Sequence, residues 1–168
     1  LISEYVITPL TWGIHTGATN SLNNYQDIFD KRYAISRFGS GSHLMAIVDA
    51  NSKGQTLTEE QFVVIKNIDG ALESLGNLDS DVFYWEKYTT KPYVDSGQLR
   101  RVGEYLTPWP CFMIAATDEI LEKEPENVIR VLRTIHNSCD RFMMDEDVIP
   151  EVAERYGLQV KDAERWYH

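Results

Sequence analysis

The segment RYAISRFGSGSHLMAIV, from Arg32 to Val48, limits the possible folds of this chain more than any other. Tyr33 to Ser36 has the length and residue types of a strand, and an apolar helical pattern opens near Ser42. Glycine and serine alternate between them. A strand that turns straight into a helix belongs to a layered α/β arrangement. Gly39 and Gly41 permit φ > 0 and leave their N–H groups unobstructed by side chains. The start of a helix adds unpaired N–H donors and the positive end of a dipole, so the turn suits an anion. Ser40, Ser42 and His43 can supplement those donors. The plainer reading is a solvated turn in which Ser42 caps the helix. No lysine follows the second glycine and no GxxxxGK[ST] spacing is present, which argues against a nucleotide P-loop.

The pattern continues along the chain. EYVITPLTWGI reads as extended chain interrupted by Pro9, and SLNNYQDIFDK as a short helix capped by Ser21. The helix after the glycine-serine turn is expected over Ser42 to Asn51, with Leu44, Met45, Ile47 and Val48 on one face and Gly54 closing it. FVVIK reads as strand, Ile68 to Gly76 as helix, DVFYW as strand, Lys87 to Asp95 as helix and LRRVG as strand. Strands alternating with helices at this spacing predict a mainly parallel α/β sheet. Beyond TPWP the character changes. CFMIAA reads as a last strand, Thr117 opens a short helix, and Pro125 starts a longer one. Val128, Leu132, Ile135, Cys139 and Phe142 fall on one face of that helix. A further helix, EVAERY, stops at Gly157, and KDAERWYH is a short final one.

A net charge of −10 on 168 residues argues against nucleic acid or an anionic membrane as partner. A local nest of N–H groups can still oppose that field and hold a small anion. No run is long enough to span a membrane. Cys111 and Cys139 read as two free thiols, and the four histidines show no metal-ligand spacing, so no cofactor or metal is expected. No GxSxG elbow or HExxH helix appears.

ISRFGSGSHLMA, FYWEKYTTKPYVDSG, RRVGE and TPWPCFMIAA together resemble the type II periplasmic solute-binding proteins. The likeness is greatest to the branch that includes alkanesulfonate-, taurine- and thiamine-pyrimidine-binding proteins. It spans the chain but only the later part of the family's usual length, so the first half of one lobe, before Leu1, is expected to be missing. The resemblance implies a hinge crossing over 1–12, an α/β lobe II over 13–106, and a return strand with helices on lobe I over 107–168. It implies capture of a small organic anion or heterocyclic precursor by hinge closure, with an ABC-type permease as partner. The helical stripe after Pro125 would face the missing lobe segment or a partner chain. A periplasmic or extracytoplasmic location goes with the family, although no signal peptide is visible and compartment is not legible here. Fungal pyrimidine-precursor synthases also resemble this fold. Their cysteine-rich motif has no counterpart here, which places an enzyme second, beside a non-transport regulatory module.

Open parallel sheets bind ligands beyond the carboxyl ends of their strands. Three turns are expected there: Arg37 to His43, Asn67 to Gly70, and Trp85 to Thr90. Arg37, Ser40, Gly41, Ser42, His43, Asn67, Trp85 and Glu86 are therefore the candidate ligand-binding residues, with Glu86 the favoured polar contact. Each has a duller role available: Trp85 in the core, Glu86 and Asp69 as helix-start acids, Arg37 in a surface ion pair. Trp12 and Trp109 can line the hinge side of a cleft, but packing is the simpler role for both.

Overall fold

The structure is a computed structural model and describes residues 1–168. The chain forms two compact units. Leu1–Pro9 and Pro108–His168 make up the first, and Leu10–Thr107 the second.

The second unit is built on a five-stranded sheet. Its strands are β2 (Thr11–Gly17), β3 (Tyr33–Ile35), β4 (Phe62–Val64), β5 (Val82–Glu86) and β6 (Leu99–Leu106). Across the sheet the order is β4-β3-β5-β2-β6. β3 pairs in parallel with β4 and with β5, whereas β2 pairs antiparallel with both β5 and β6. The sheet is therefore mixed and not mainly parallel. Parallel pairing requires a crossover helix, and only β3, β4 and β5 are linked by helices of suitable length. β2 brings the chain in and β6 takes it out side by side, with Leu10 N–H donating to Thr107 Oγ1 at 2.8 Å and Thr107 N–H to the Leu10 carbonyl at 3.0 Å.

Alternation along the strands divides the core in two. Ile14, Tyr33, Ile35, Val82 and Tyr84 meet Met45 and Ala46 of α1 (Gly41–Ser52) on one face. Ala34 and Phe83 meet Ala71 and Leu75 of α2 (Ile68–Gly76) on the other. The cap of α1 is Ser40, not Ser42: its hydroxyl accepts from His43 N–H. Ser42 is instead turned inward, where its hydroxyl accepts from Ser36 N–H at 3.0 Å. Lys53 and Gly54 N–H close the helix on Ala50 and Asn51 carbonyls, with Gly54 at φ +69. Asp49, fully buried on α1, accepts from Tyr25 at 2.5 Å and Tyr84 at 2.6 Å. Burial and the neighbouring Asp49 charge push the Tyr84 phenol far above its ordinary range.

Two helical expectations shrink. Tyr25–Ile28 is a single 3-10 turn preceded by Asn24, so Ser21 caps nothing. The stretch from Lys87 keeps helix only over α3 (Lys91–Asp95), because Glu86 folds residues 87–90 into a turn.

In the first unit β1 (Ser3–Val6) pairs antiparallel with β7 (Phe112–Ile114). Helices α4 (Asp118–Lys123), α5 (Pro125–Met144), α6 (Val148–Tyr156) and α7 (Val160–Tyr167) follow. Val148, Val152, Ala153 and Ala163 form a separate small core. Gly157, at φ +64, ends α6 as expected. No residue of α5 is buried; Val128, Leu132, Ile135 and Cys139 are half-buried on one stripe, whereas Phe142, expected to continue it, is 40% exposed. No helix is long and apolar enough to cross a membrane.

Candidate ligand site at the carboxyl edge

The parallel strands β3, β4 and β5 point their carboxyl ends toward one edge of the second unit. The antiparallel pairings bring the start of β2 and the end of β6 to that edge too, with Trp12 opposite Glu86 and Thr11 opposite Leu106. The three turns expected to line it do leave from these strand ends.

The turn after β3 is internally organised. Ser40 N–H donates to the Arg37 carbonyl at 3.1 Å, and the Ser40 and Ser42 hydroxyls lie 3.0 Å apart. Gly39, at φ +75, donates its N–H to His43 Nδ1 at 3.1 Å. That bond places the neutral ring's proton on Nε2. The His43 ring meets Phe38 and Phe62 edge-on, at 5.2 and 4.6 Å. Within this organisation the N–H groups of Gly41 and Ser42, the first two of α1, make no hydrogen bond. Gly41 is needed for a second reason besides its exposed N–H. A Cβ there would lie 2.8 Å from Trp12 Cη2, so the indole is pressed against the helix start. Trp12 Nε1 is buried and has no hydrogen-bond partner. Arg37 sits exposed at the rim, with only a 3.4 Å contact from its guanidinium to the Phe38 carbonyl.

The remaining candidates lie differently. The Glu86 carboxylate accepts from Tyr88 N–H at 2.9 Å, and from Thr89 N–H and Thr89 Oγ1 at 2.6 Å, which fixes its own turn. Trp85 points to the α2 face and stacks on Phe83, with centroids 5.2 Å apart. Asn67 caps α2 by accepting from Gly70 N–H at 3.0 Å, and Asp69 stands exposed in the first turn. Arg37, Ser40, Gly41, Ser42 and His43 are thus gathered in one turn with Trp12, while Trp85 and Asn67 belong to the opposite face. Trp109 lies in the first unit, 41% exposed.

One cluster escaped the sequence reading. His15, fully buried, reaches Thr90 Oγ1 at 2.9 Å and Arg101 Nε at 3.4 Å through Nε2. The signal available was a glycine two residues before a histidine in a strand, a gap into which the ring can fold.

The sequence pattern of the Ca3427-like PBP family matches residues 12–105. The chain belongs to the Ca3427-like PBP family. Among solved structures, the Candida albicans CA3427 gene product, described as defining a new family with the generic periplasmic binding protein fold, is 25% identical. The match covers 99% of this chain and 55% of that one, with a TM-score of 0.90. The alkanesulfonate-binding protein SsuA of Xanthomonas axonopodis pv. citri, bound to MOPS, is 15% identical over 96% of this chain and 58% of its own, with a TM-score of 0.65. The aliphatic sulphonate-binding SsuA of Escherichia coli gives 18%, 96%, 57% and 0.62. These two show the fold alone. No curated protein matches the sequence. This member of the Ca3427-like family spans little more than half the length of the structures it matches.

Proposed function

We propose that this chain carries one part of the recognition surface of a solute-binding protein, and that it holds the acidic group of a small organic anion at the start of α1. The observation that carries the reading is the pair of free N–H groups at Gly41 and Ser42, set against the Trp12 indole at the carboxyl edge. A helix N-terminus favours negative charge, and a bare glycine lets an oxyanion approach the backbone. Trp12 offers a flat apolar wall for the rest of the ligand, so an anion on an aliphatic or heterocyclic body fits best. His43 Nε2–H and the Arg37 guanidinium are the supplementary donors. Glu86 borders the same edge and shapes its turn through backbone bonds, whereas Asn67 and Trp85, on the α2 face, leave from neighbouring strand ends without facing the anion. The sulfonate-binding proteins with this fold support an anionic ligand class.

By family analogy the bound solute is enclosed by closure about the Thr8 to Trp12 and Leu106 to Cys111 crossings, and then delivered to an ABC-type permease. Contacts made only in the closed state would drive that closure. The stripe on α5 would be covered by the remainder of lobe I. A thermal-shift series with methanesulfonate, ethanesulfonate and MOPS, repeated on Gly41→Val, tests the reading. The parent should be stabilised by at least one of them and the variant by none. Equal stabilisation of both would remove the anion from the α1 terminus.

A further inference from the structure

The turn that follows β5 is held from beneath by a post built from four residues. Gly13 and His15 lie on the same face of β2. A Cβ at position 13 would stand 2.4 Å from His15 Cε1 and 2.6 Å from Nε2, so the imidazole lies folded over Gly13 toward the carboxyl edge. There Nε2 meets Thr90 Oγ1 at 2.9 Å and receives Arg101 Nε–H at 3.4 Å. Arg101 also donates through Nη2 to the Lys87 carbonyl at 2.7 Å. His15 and Thr90 are both completely buried.

The protonation state follows from the partners. A guanidinium only donates, so Nε2 must accept, and the ring proton lies on Nδ1, facing the Phe83 carbonyl at 3.2 Å. From β6 the charged groups around the ring are Arg101 and, bonded to it at 3.3 Å, Glu104; Lys87 of the turn pairs with Glu104 at 2.9 Å. β5 presents the Phe83 carbonyl and ring, and the start of α3 presents only the Thr90 hydroxyl. Glu86 caps the same turn from its other side. A second proton on the imidazole would set Nε2–H and a positive charge against the Arg101 Nε–H donor and break that bond. Thr90 Oγ1, whose own proton can go to the Glu86 or Lys87 carbonyl, would be left as the acceptor facing Nε2.

We infer that His15 is a positioning residue for the ligand-edge turn Glu86–Lys91: its neutral imidazole locks the turn in place, and protonation releases it. The inference rests on the reading of the carboxyl edge as the binding face, but its test needs no ligand and so fails or succeeds separately. Burial, and secondarily the Arg101 charge, lower the His15 pKa to about 4.

The test follows backbone amides and the His15 ring by NMR on the whole chain from pH 7 to pH 4, in the parent and in His15→Gln. Glutamine can accept from Arg101 without titrating, and Glu86 is retained, so effects of that carboxylate are common to both proteins. In the parent, Thr90 and Lys91 amides should shift or broaden together with the titrating His15 ring; in the variant they should stay in place. Turn amides unmoved while His15 titrates, or the same movement in both proteins, overturns the inference. If His15→Gln does not fold, Thr90→Val keeps the volume and removes the hydroxyl. Its Thr89 and Lys91 amides should then exchange about tenfold faster at pH 7 than in the parent. Unchanged protection there also overturns it.

Discussion

His15 makes stability depend on pH with a definite sign. Folded, its imidazole titrates at about 4, against 6.5 for the ordinary side chain. Between those values the unfolded chain binds the extra proton, so stability falls as pH falls through that window. From pH 7 to pH 4 this group alone should remove about 3 kcal/mol. Urea unfolding of parent and His15→Gln across that range checks it through the difference of slopes, and equal slopes would contradict the assignment. Tyr84 yields a prediction of another kind. Tyr84→Phe leaves the buried Asp49 carboxylate with the Tyr25 hydroxyl only, which should cost about 1–3 kcal/mol. Chemical denaturation at neutral pH measures it.

At the scale of the element, α1 is the part that unites fold and site. Its start is fixed by the Ser40 cap and the Ser42 bond to Ser36, and its last turn by Asp49. Ser40→Ala should lower stability by about 1 kcal/mol and weaken sulfonate binding, because the released first turn no longer holds Gly41 and Ser42 in place. Loss of stability with unchanged ethanesulfonate affinity would separate the cap from the cradle. α2 is constrained more rigidly still. A Cβ on Gly70 would stand 2.1 Å from the Ile65 carbonyl oxygen, which is backbone and must be displaced. Gly70→Ala should therefore cost more than the same change at Gly76, where nothing lies within 4 Å. Melting temperatures of the two variants decide it.

Across the whole molecule, the two units differ in how well each covers itself. The second has two buried clusters and joins its ends through the Leu10–Thr107 pair of hydrogen bonds. Residues 10–107 expressed alone should therefore unfold cooperatively. The first unit buries four apolar side chains in its helices and leaves Val131, Met143 and Met144 of α5 more than half exposed. Residues 108–168 alone should show no cooperative melt by circular dichroism, because so small a core cannot offset chain entropy. A sharp transition in that fragment would refute this.

Much of the plan could be read from local chemistry. Gly39 and Gly41 between the strand-like YAIS and an apolar helical face mark a strand-turn-helix, and the φ of +75 at Gly39 is a local requirement of that turn. The stripe Val128, Leu132, Ile135 and Cys139 was legible for the same reason, as helical period is a property of neighbours in sequence. Pairing is not such a property. β2 runs against β5 and β6 because the chain enters and leaves the second unit on adjacent strands, a fact of topology that no window of residues contains. Side-chain assignment at the edge was likewise decided in three dimensions. Glu86 binds its own turn, Trp85 faces α2, and Trp12, 29 positions before Gly41 in the sequence, comes to lie on the start of α1. His15 became visible only once Thr90 and Arg101 met it in space, because a buried histidine takes its role from whichever donors the fold brings to it.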